Sequence, residues 1–237
     1  MKIDRKSNPT ARQVQKRGQL KKAHYTSAGG MHLMQLESRL EASGAIAMGL
    51  DPRVRSIRSQ PMTFDLTTGR TYPSVDALVA APKLYGLRCK KYTPDFELDL
   101  GGTKVLVEVK HRGLIAMAPQ ILGYPSVLAR YGYRLIIIDD EILEETYVRN
   151  LRQLNIARSL RPCAEKPTEL ITLCGERMKY GRLVAAGFDE GTLLSAIAHG
   201  HLTFDVRSER LNHDTDVSAA GDTAAHLKEL PIVSISS

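Results

Sequence analysis

Residues 96–109 constrain this chain more than any other stretch of it. Phe96, Leu98 and Leu100 alternate with Glu97 and Asp99, and beyond Gly101-Gly102 the alternation resumes at Val105, Val107 and Val109. A period of two places successive side chains on opposite faces of a strand, so each run has one face to bury. Two glycines between such runs supply the positive φ angles of a tight turn. The segment predicts a β-hairpin, and a hairpin is stable only with further strands or a covering helix.

The flanking sequence offers both. Leu33, Leu36, Leu40, Ile46 and Leu50 fall near helical spacing over residues 31–50, interrupted by Gly44, and Asp51-Pro52 stops that helix. Residues 53–65 read as extended chain with an edge or bend at Gln60-Pro61, 67–70 as a turn, and 75–79 as room for a short helix. After the hairpin, 116–131 suits a helix whose start and shape are restricted by Pro119 and Pro125. Residues 134–139 read as an apolar strand covered on both faces, and 141–159 as a charge-rich helix. Helix, hairpin, helix, strand is the order of an α/β fold with a mixed sheet flanked by helices. Beyond Arg161-Pro162 the composition shifts to short helices punctuated by glycine, with a small strand or wing at 202–206 and a loose tail from Thr215. The expected organisation is an arm over 1–23, an α/β domain over 24–161, and a small, mainly helical domain over 162–237.

The net charge of +7 lies entirely in the arm. Residues 1–22 hold eight lysines and arginines against Asp4 alone, and the remaining chain balances at 25 basic and 25 acidic residues. Such an arm either grips phosphate backbones, with Arg12, Lys16, Arg17, Lys21 and Lys22 as the contacts, or is a solvated tail. No apolar run approaches the ~18 residues of a membrane span, and the basic start lacks the apolar segment of a signal peptide. Three cysteines, Cys89, Cys163 and Cys174, far apart and without a CxxC pair, argue against a disulfide framework or structural zinc. A cytoplasmic location without membrane contact is the expectation.

The chemistry-bearing residues sit on the hairpin. Pro94-Asp95 precedes the first strand, and Glu108-Val109-Lys110 ends the second. Alternation points Glu108 and Lys110 to one side and Val109 into the core. Asp95 lies as far before the glycine turn as Glu108 lies after it, so pairing brings Asp95 opposite residues 108–110. Two carboxylates and the Val109 carbonyl are hard oxygen donors suited to Mg²⁺, with Mn²⁺ as a substitute. Such an ion polarises a phosphate and activates water, with Lys110 positioning or deprotonating that water. His199-Gly200-His201 lacks an acidic or Cys partner and reads as a helix end. His111 faces away from Lys110, because neighbours on a strand point oppositely.

At these residues the chain resembles the PD-(D/E)xK nuclease superfamily, and within it the TnsA family, the endonuclease subunit of heteromeric cut-and-paste transposons. Leu36-Glu37-Ser38-Arg39-Leu40-Glu41 resembles the family's first-helix pattern. Ile57-Arg58-Ser59-Gln60-Pro61 is similar to its first-strand segment, with nineteen residues from Glu41 to Gln60. Tyr92-Thr93-Pro94-Asp95-Phe96 and Val107-Glu108-Val109-Lys110 match its two core motifs. The likeness covers about residues 30–160, and is weaker at 193–206.

The resemblance implies a restriction-endonuclease-like domain and a winged-helix-like C-terminal domain. It implies a site of Glu41, Asp95, Glu108 and Lys110, with Glu41 acting through a metal-bound water or a second ion. Glu37, one helical turn away, is the competing acid. Gln60 either orients substrate or a site residue, or closes a strand end. Lys90 and Lys91 either contact phosphate or are a solvated strand end. The implied activity is hydrolysis of double-stranded DNA at the 5′ ends of a transposon. The implied partners are a TnsB-like DDE transposase, which handles the 3′ ends, and a TnsC-like AAA+ regulator that binds the C-terminal part. A stand-alone nuclease of restriction or repair, and a non-catalytic assembly module, are the alternatives.

Overall fold

The computed structural model describes residues 24–28, 33–82, 88–158, 166–221 and 223–232. The proposed arm contacts Arg12, Lys16, Arg17, Lys21 and Lys22, and also Cys163, lie outside the described residues.

An antiparallel pair, β1 (His24–Ser27) and β2 (Leu33–Leu36), leads into α1 (Arg39–Leu50). Next come β3 (Ser56–Ser59), β4 (Thr63–Asp65), β5 (Thr71–Tyr72), α2 (Val75–Ala80) and β6 (Lys91–Tyr92). β7 (Phe96–Asp99) and β8 (Lys104–Val109) form the predicted hairpin. The crossover of α3 (Arg112–Met117), a 3-10 turn (Pro119–Gly123) and α4 (Tyr124–Ala129) returns the chain to β9 (Leu135–Ile138). α5 (Glu145–Ala157) and α6 (Lys166–Cys174) precede β10 (Met178–Lys179), α7 (Tyr180–Ala185), α8 (Glu190–His199), β11 (Leu202–Thr203) and β12 (Asp216–Ala219).

The fold is mixed α/β. Its central sheet has the order β3-β7-β8-β9, with β9 parallel to β8 and the other pairs antiparallel. The hairpin register pairs Phe96 with Val107 and Asp99 with Lys104. Its turn is tied by Asp99 Oδ1, which accepts from the Gly101 and Gly102 N–H groups, both glycines having positive φ (85° and 108°). Alternation then sorts the side chains. Phe96, Leu98, Val107 and Val109 enter the main apolar cluster with α1 and α5, whereas Leu106 faces a smaller cluster with Phe64, Leu66, Tyr92, Leu128 and Leu135. A second sheet, β5-β4-β6, carries Tyr92 beside that smaller cluster.

Several expectations are corrected. The first helix begins at Arg39 rather than near residue 31, because Met34 and Leu36 are buried at strand spacing and Ser38 caps the helix. Gly44 does not interrupt α1. A Cβ there would stand 3.1 Å from Val109 Cγ2, so the glycine lets helix and sheet approach closely. The 116–131 helix divides into α3, the 3-10 turn and α4, since Pro119 cannot continue the hydrogen-bond ladder of α3. α5 starts four residues late, because Asp139 accepts from the Glu141 and Ile142 N–H groups and holds a turn there.

Residues from Thr215 are not a loose tail as far as they are described. β12 is the central strand of a three-stranded sheet in the order β10-β12-β11, and Leu227, Leu230 and Ile232 are buried. The main apolar cluster runs from Ala28 to Ile232, across residue 162. No described helix is long and apolar enough to cross a membrane.

That terminal packing carries a pH dependence. His226 lies in a 3-10 turn (Ala225–Leu227), and neither buried ring nitrogen makes a hydrogen bond of normal geometry. The nearby Ile197 backbone and the charge of Glu229 offset only part of the burial, which pushes the imidazole from 6.5 down to about 4. The ring stays neutral in the folded chain while the unfolded chain takes up a proton below about pH 6.5, so acid favours unfolding. The full stability is present above that pH and falls as pH drops toward 4, by about 3 kcal/mol at most. Thermal melting between pH 7 and pH 4.5 should therefore fall less steeply for His226→Leu than for the native chain.

Candidate active site

One step beyond the Phe96–Val107 pairing, the hairpin register sets Asp95 opposite Glu108. Asp95 Oδ2 accepts the Val109 N–H at 2.9 Å, which ties the first acid to the strand that bears the second. Lys110 Nζ stands 3.7 Å from Glu108 Oε1, on the same side of the strand, while Val109 is buried beneath Gly44. His111 lies past the end of β8, as the N-cap of α3. Its Nδ1 accepts from Gly113 N–H to cap α3, and Nε2 lies 3.3 Å from Asp140 Oδ2.

Glu41 reaches the same cleft from the start of α1. The Ser38 hydroxyl accepts the Glu41 N–H at 3.1 Å and donates to Glu41 Oε1 at 2.9 Å, and the Glu37 N–H donates to Oε2 at 2.9 Å. The Ser-x-x-Glu spacing thus has a local cause, a variant of the helix capping box. The positive end of the helix dipole also favours a carboxylate there. The cap holds the carboxylate in place.

Gln60 stands behind these acids. Its N–H donates to the Asp95 carbonyl at 2.7 Å and its Nε2 donates to Glu37 Oε1 at 3.2 Å. Its φ of 42° is left-handed, a strained conformation for a residue other than glycine, and its Oε1 is buried without a hydrogen-bond partner. Both readings of Gln60 keep a basis, since its N–H extends the β3–β7 pairing by one step and its side chain reaches Glu37.

The cleft has a volume of about 300 Å³. Its ionisable wall comprises Glu37, Glu41, Asp95 and Glu108 against Lys91 and Lys110. Glu41, Asp95 and Glu108 are each less than 9% exposed. Buried carboxylates are costly unless they are hydrogen-bonded, paired with cations or coordinated to metal. Among the described residues, no three His, Cys, Asp or Glu side chains approach closely enough to form a metal site by themselves. The donors on offer are the facing pair Asp95 and Glu108, with Val109 and Glu41 lining the same cleft. Two hard carboxylates fit Mg²⁺, which retains several waters, and do not fit structural zinc with its full set of nitrogen or sulfur ligands. Lys91 lines the cleft, while Lys90 holds its ammonium 4.9 Å from the ring centroid of Tyr124, another cleft residue.

The sequence pattern did not single out Leu114, Gln120, Ile121 and Tyr124, which line the cleft beside Tyr92. Tyr92 donates its hydroxyl to Glu108 Oε2 at 2.9 Å, and burial beside Glu108 and Asp95 pushes the phenol well above its usual range. In the sequence it is the first residue of the 92–96 motif, with no role of its own assigned. No protein-family model matches the chain, and no curated protein matches it.

Proposed function

We propose that this chain is a magnesium-dependent DNA endonuclease of restriction-endonuclease-like fold. One observation carries the reading: Asp95, Glu108 and Lys110 meet on one hairpin and line one cleft with Glu41. Asp95 and Glu108 would hold the ion, with the Val109 carbonyl as a third oxygen and Glu41 acting through water. When bound, Mg²⁺ supplies Lewis-acid polarisation of phosphate and a lowered pKa for water. The protein's own residues orient the reactants. Val109 N–H fixes Asp95, Ser38 fixes Glu41, and Lys110, about one-third exposed, reaches the cleft mouth as a proton-holding group for water or a phosphate oxygen.

Within that class, the four ordered motifs favour a TnsA-like role, cleavage at transposon 5′ ends beside a TnsB-like transposase and under a TnsC-like regulator. The three-stranded C-terminal sheet with α6, α7 and α8 is consistent with a winged-helix-like partner-binding unit. The test of the class is conversion of supercoiled plasmid to nicked or linear DNA, with Mg²⁺ or Mn²⁺ and with EDTA. The test of the role is the same assay on transposon ends with and without a TnsB-like DDE transposase. Cutting of 5′ ends only with that transposase supports it, and efficient cutting by the chain alone points to a stand-alone nuclease. Deleting residues 1–22 is expected to weaken duplex binding and flatten its salt dependence, by about 0.9 in log–log slope for each phosphate contact removed. Titration at several salt concentrations reads this out, and an unchanged slope removes the arm from the interface.

A further inference from the structure

Glu108 and Tyr92 come from different sheets and meet inside the cleft. Tyr92 ends β6, is 8% exposed, and packs its ring among Phe64, Leu66, Leu106, Leu128 and Leu135. The edge of the Tyr124 ring meets it at 4.8 Å between centroids and 63° between planes, which restricts its rotation. Phenylalanine would fill that apolar space equally well. The hydroxyl is therefore not explained by packing, and a buried hydroxyl needs a partner. Its partner is Glu108 Oε2, while Lys110 approaches the other oxygen, Oε1.

We infer that Tyr92 is a positioning residue of this site, whose hydroxyl orients the Glu108 carboxylate and thereby sets the affinity for the divalent cation. The inference rests on the metal-dependent reading of the cleft. A neutral donor suits the task. It fixes the carboxylate plane without adding a positive charge that would compete with the cation, as a second lysine would. The spacing also has a mechanical consequence. Tyr92 and Asp95 are three residues apart, with Pro94 between them, so one short segment places both the first acid and the donor that aligns the second.

The experiment is Mn²⁺ binding to the full chain without DNA, followed by calorimetry or by the electron paramagnetic resonance of free Mn²⁺. Tyr92→Phe is expected to raise the Mn²⁺ Kd roughly 10–100-fold. The Mg²⁺ concentration for half-maximal cleavage should rise by a similar factor, with cleavage restored at saturating Mg²⁺. Unchanged Mn²⁺ affinity in folded Tyr92→Phe overturns the inference. If that variant does not fold, Tyr124→Leu takes its place. It loosens the ring and keeps the hydroxyl, so a smaller rise in Kd is expected and an unchanged Kd overturns the inference. Asp95→Asn separates the two ideas. If it leaves Mn²⁺ binding intact, the metal site itself is wrong. If it abolishes binding while Tyr92→Phe has no effect, only the role of Tyr92 is wrong.

Discussion

Asp95→Asn is expected to end metal-dependent DNA cleavage while leaving the fold in place, and Lys110→Ala to slow cleavage by roughly 10²–10⁴-fold. The asymmetry follows from the geometry. Asparagine keeps an oxygen that can accept the Val109 N–H, now bonded to Asp95 Oδ2 at 2.9 Å, so this tie across the hairpin is retained. It removes a carboxylate charge from the cleft lining, and with it one of the proposed Mg²⁺ ligands. Lys110 is about one-third exposed, and its ammonium is 3.7 Å from Glu108. Alanine there removes a proton-holding group at little cost to packing. Rates of plasmid nicking at saturating Mg²⁺, with matched circular dichroism spectra, measure both effects. Native rates in both variants would mean that the cleft does not cut DNA.

The largest effect on stability is expected at Arg53, far from that chemistry. Asp51, the C-cap of α1, is fully buried, and Arg53 donates Nε and Nη2 to its two oxygens at 2.9 and 2.6 Å. The same guanidinium donates to the Leu230 carbonyl at 2.8 Å and to the Ile232 carbonyl, and the bonding holds the guanidinium pKa above its ordinary value. Arg53→Met takes the bidentate guanidinium from a buried carboxylate and leaves two carbonyls without that donor. Breaking a buried pair from one side destabilises by about 3–5 kcal/mol. That is a large share of the roughly 5–15 kcal/mol by which a domain is stable. The midpoint of urea unfolding should fall with little change in slope, and protease should reach the segment around 230 sooner. Asp51→Asn combined with Arg53→Met should recover part of the loss. A single-variant loss below about 1 kcal/mol would mean that the pair behaves as an exposed one.

These two sites were unequally legible. Asp95, Glu108 and Lys110 could be located because strand alternation and a glycine turn fix register over a few residues, and register is local. The N-terminal boundary of α1 was misjudged because Leu33 and Leu36 satisfy helical spacing, although Met34 and Leu36 are the residues that strand pairing buries. The Ser38–Glu41 pairing was visible as a spacing. That it is a helix cap became clear only from its hydrogen bonds. The segment after Thr215 looked loose because its apolar residues are sparse, yet Val217, Leu227, Leu230 and Ile232 each find a place in the main cluster.

The sequence by itself determined the hairpin, the mixed order of helices and strands, and the facing of Asp95 with Glu108 and Lys110. Each depends on contacts between residues close in the chain, where backbone geometry leaves few choices. The tertiary structure decided what surrounds them. Tyr92 against Glu108, Gln60 against Glu37, Gly44 against Val109 and Arg53 against Leu230 join separate elements, at separations of 16 to 177 residues for the three that are hydrogen bonds. Such contacts depend on how whole faces pack, which no local spacing encodes.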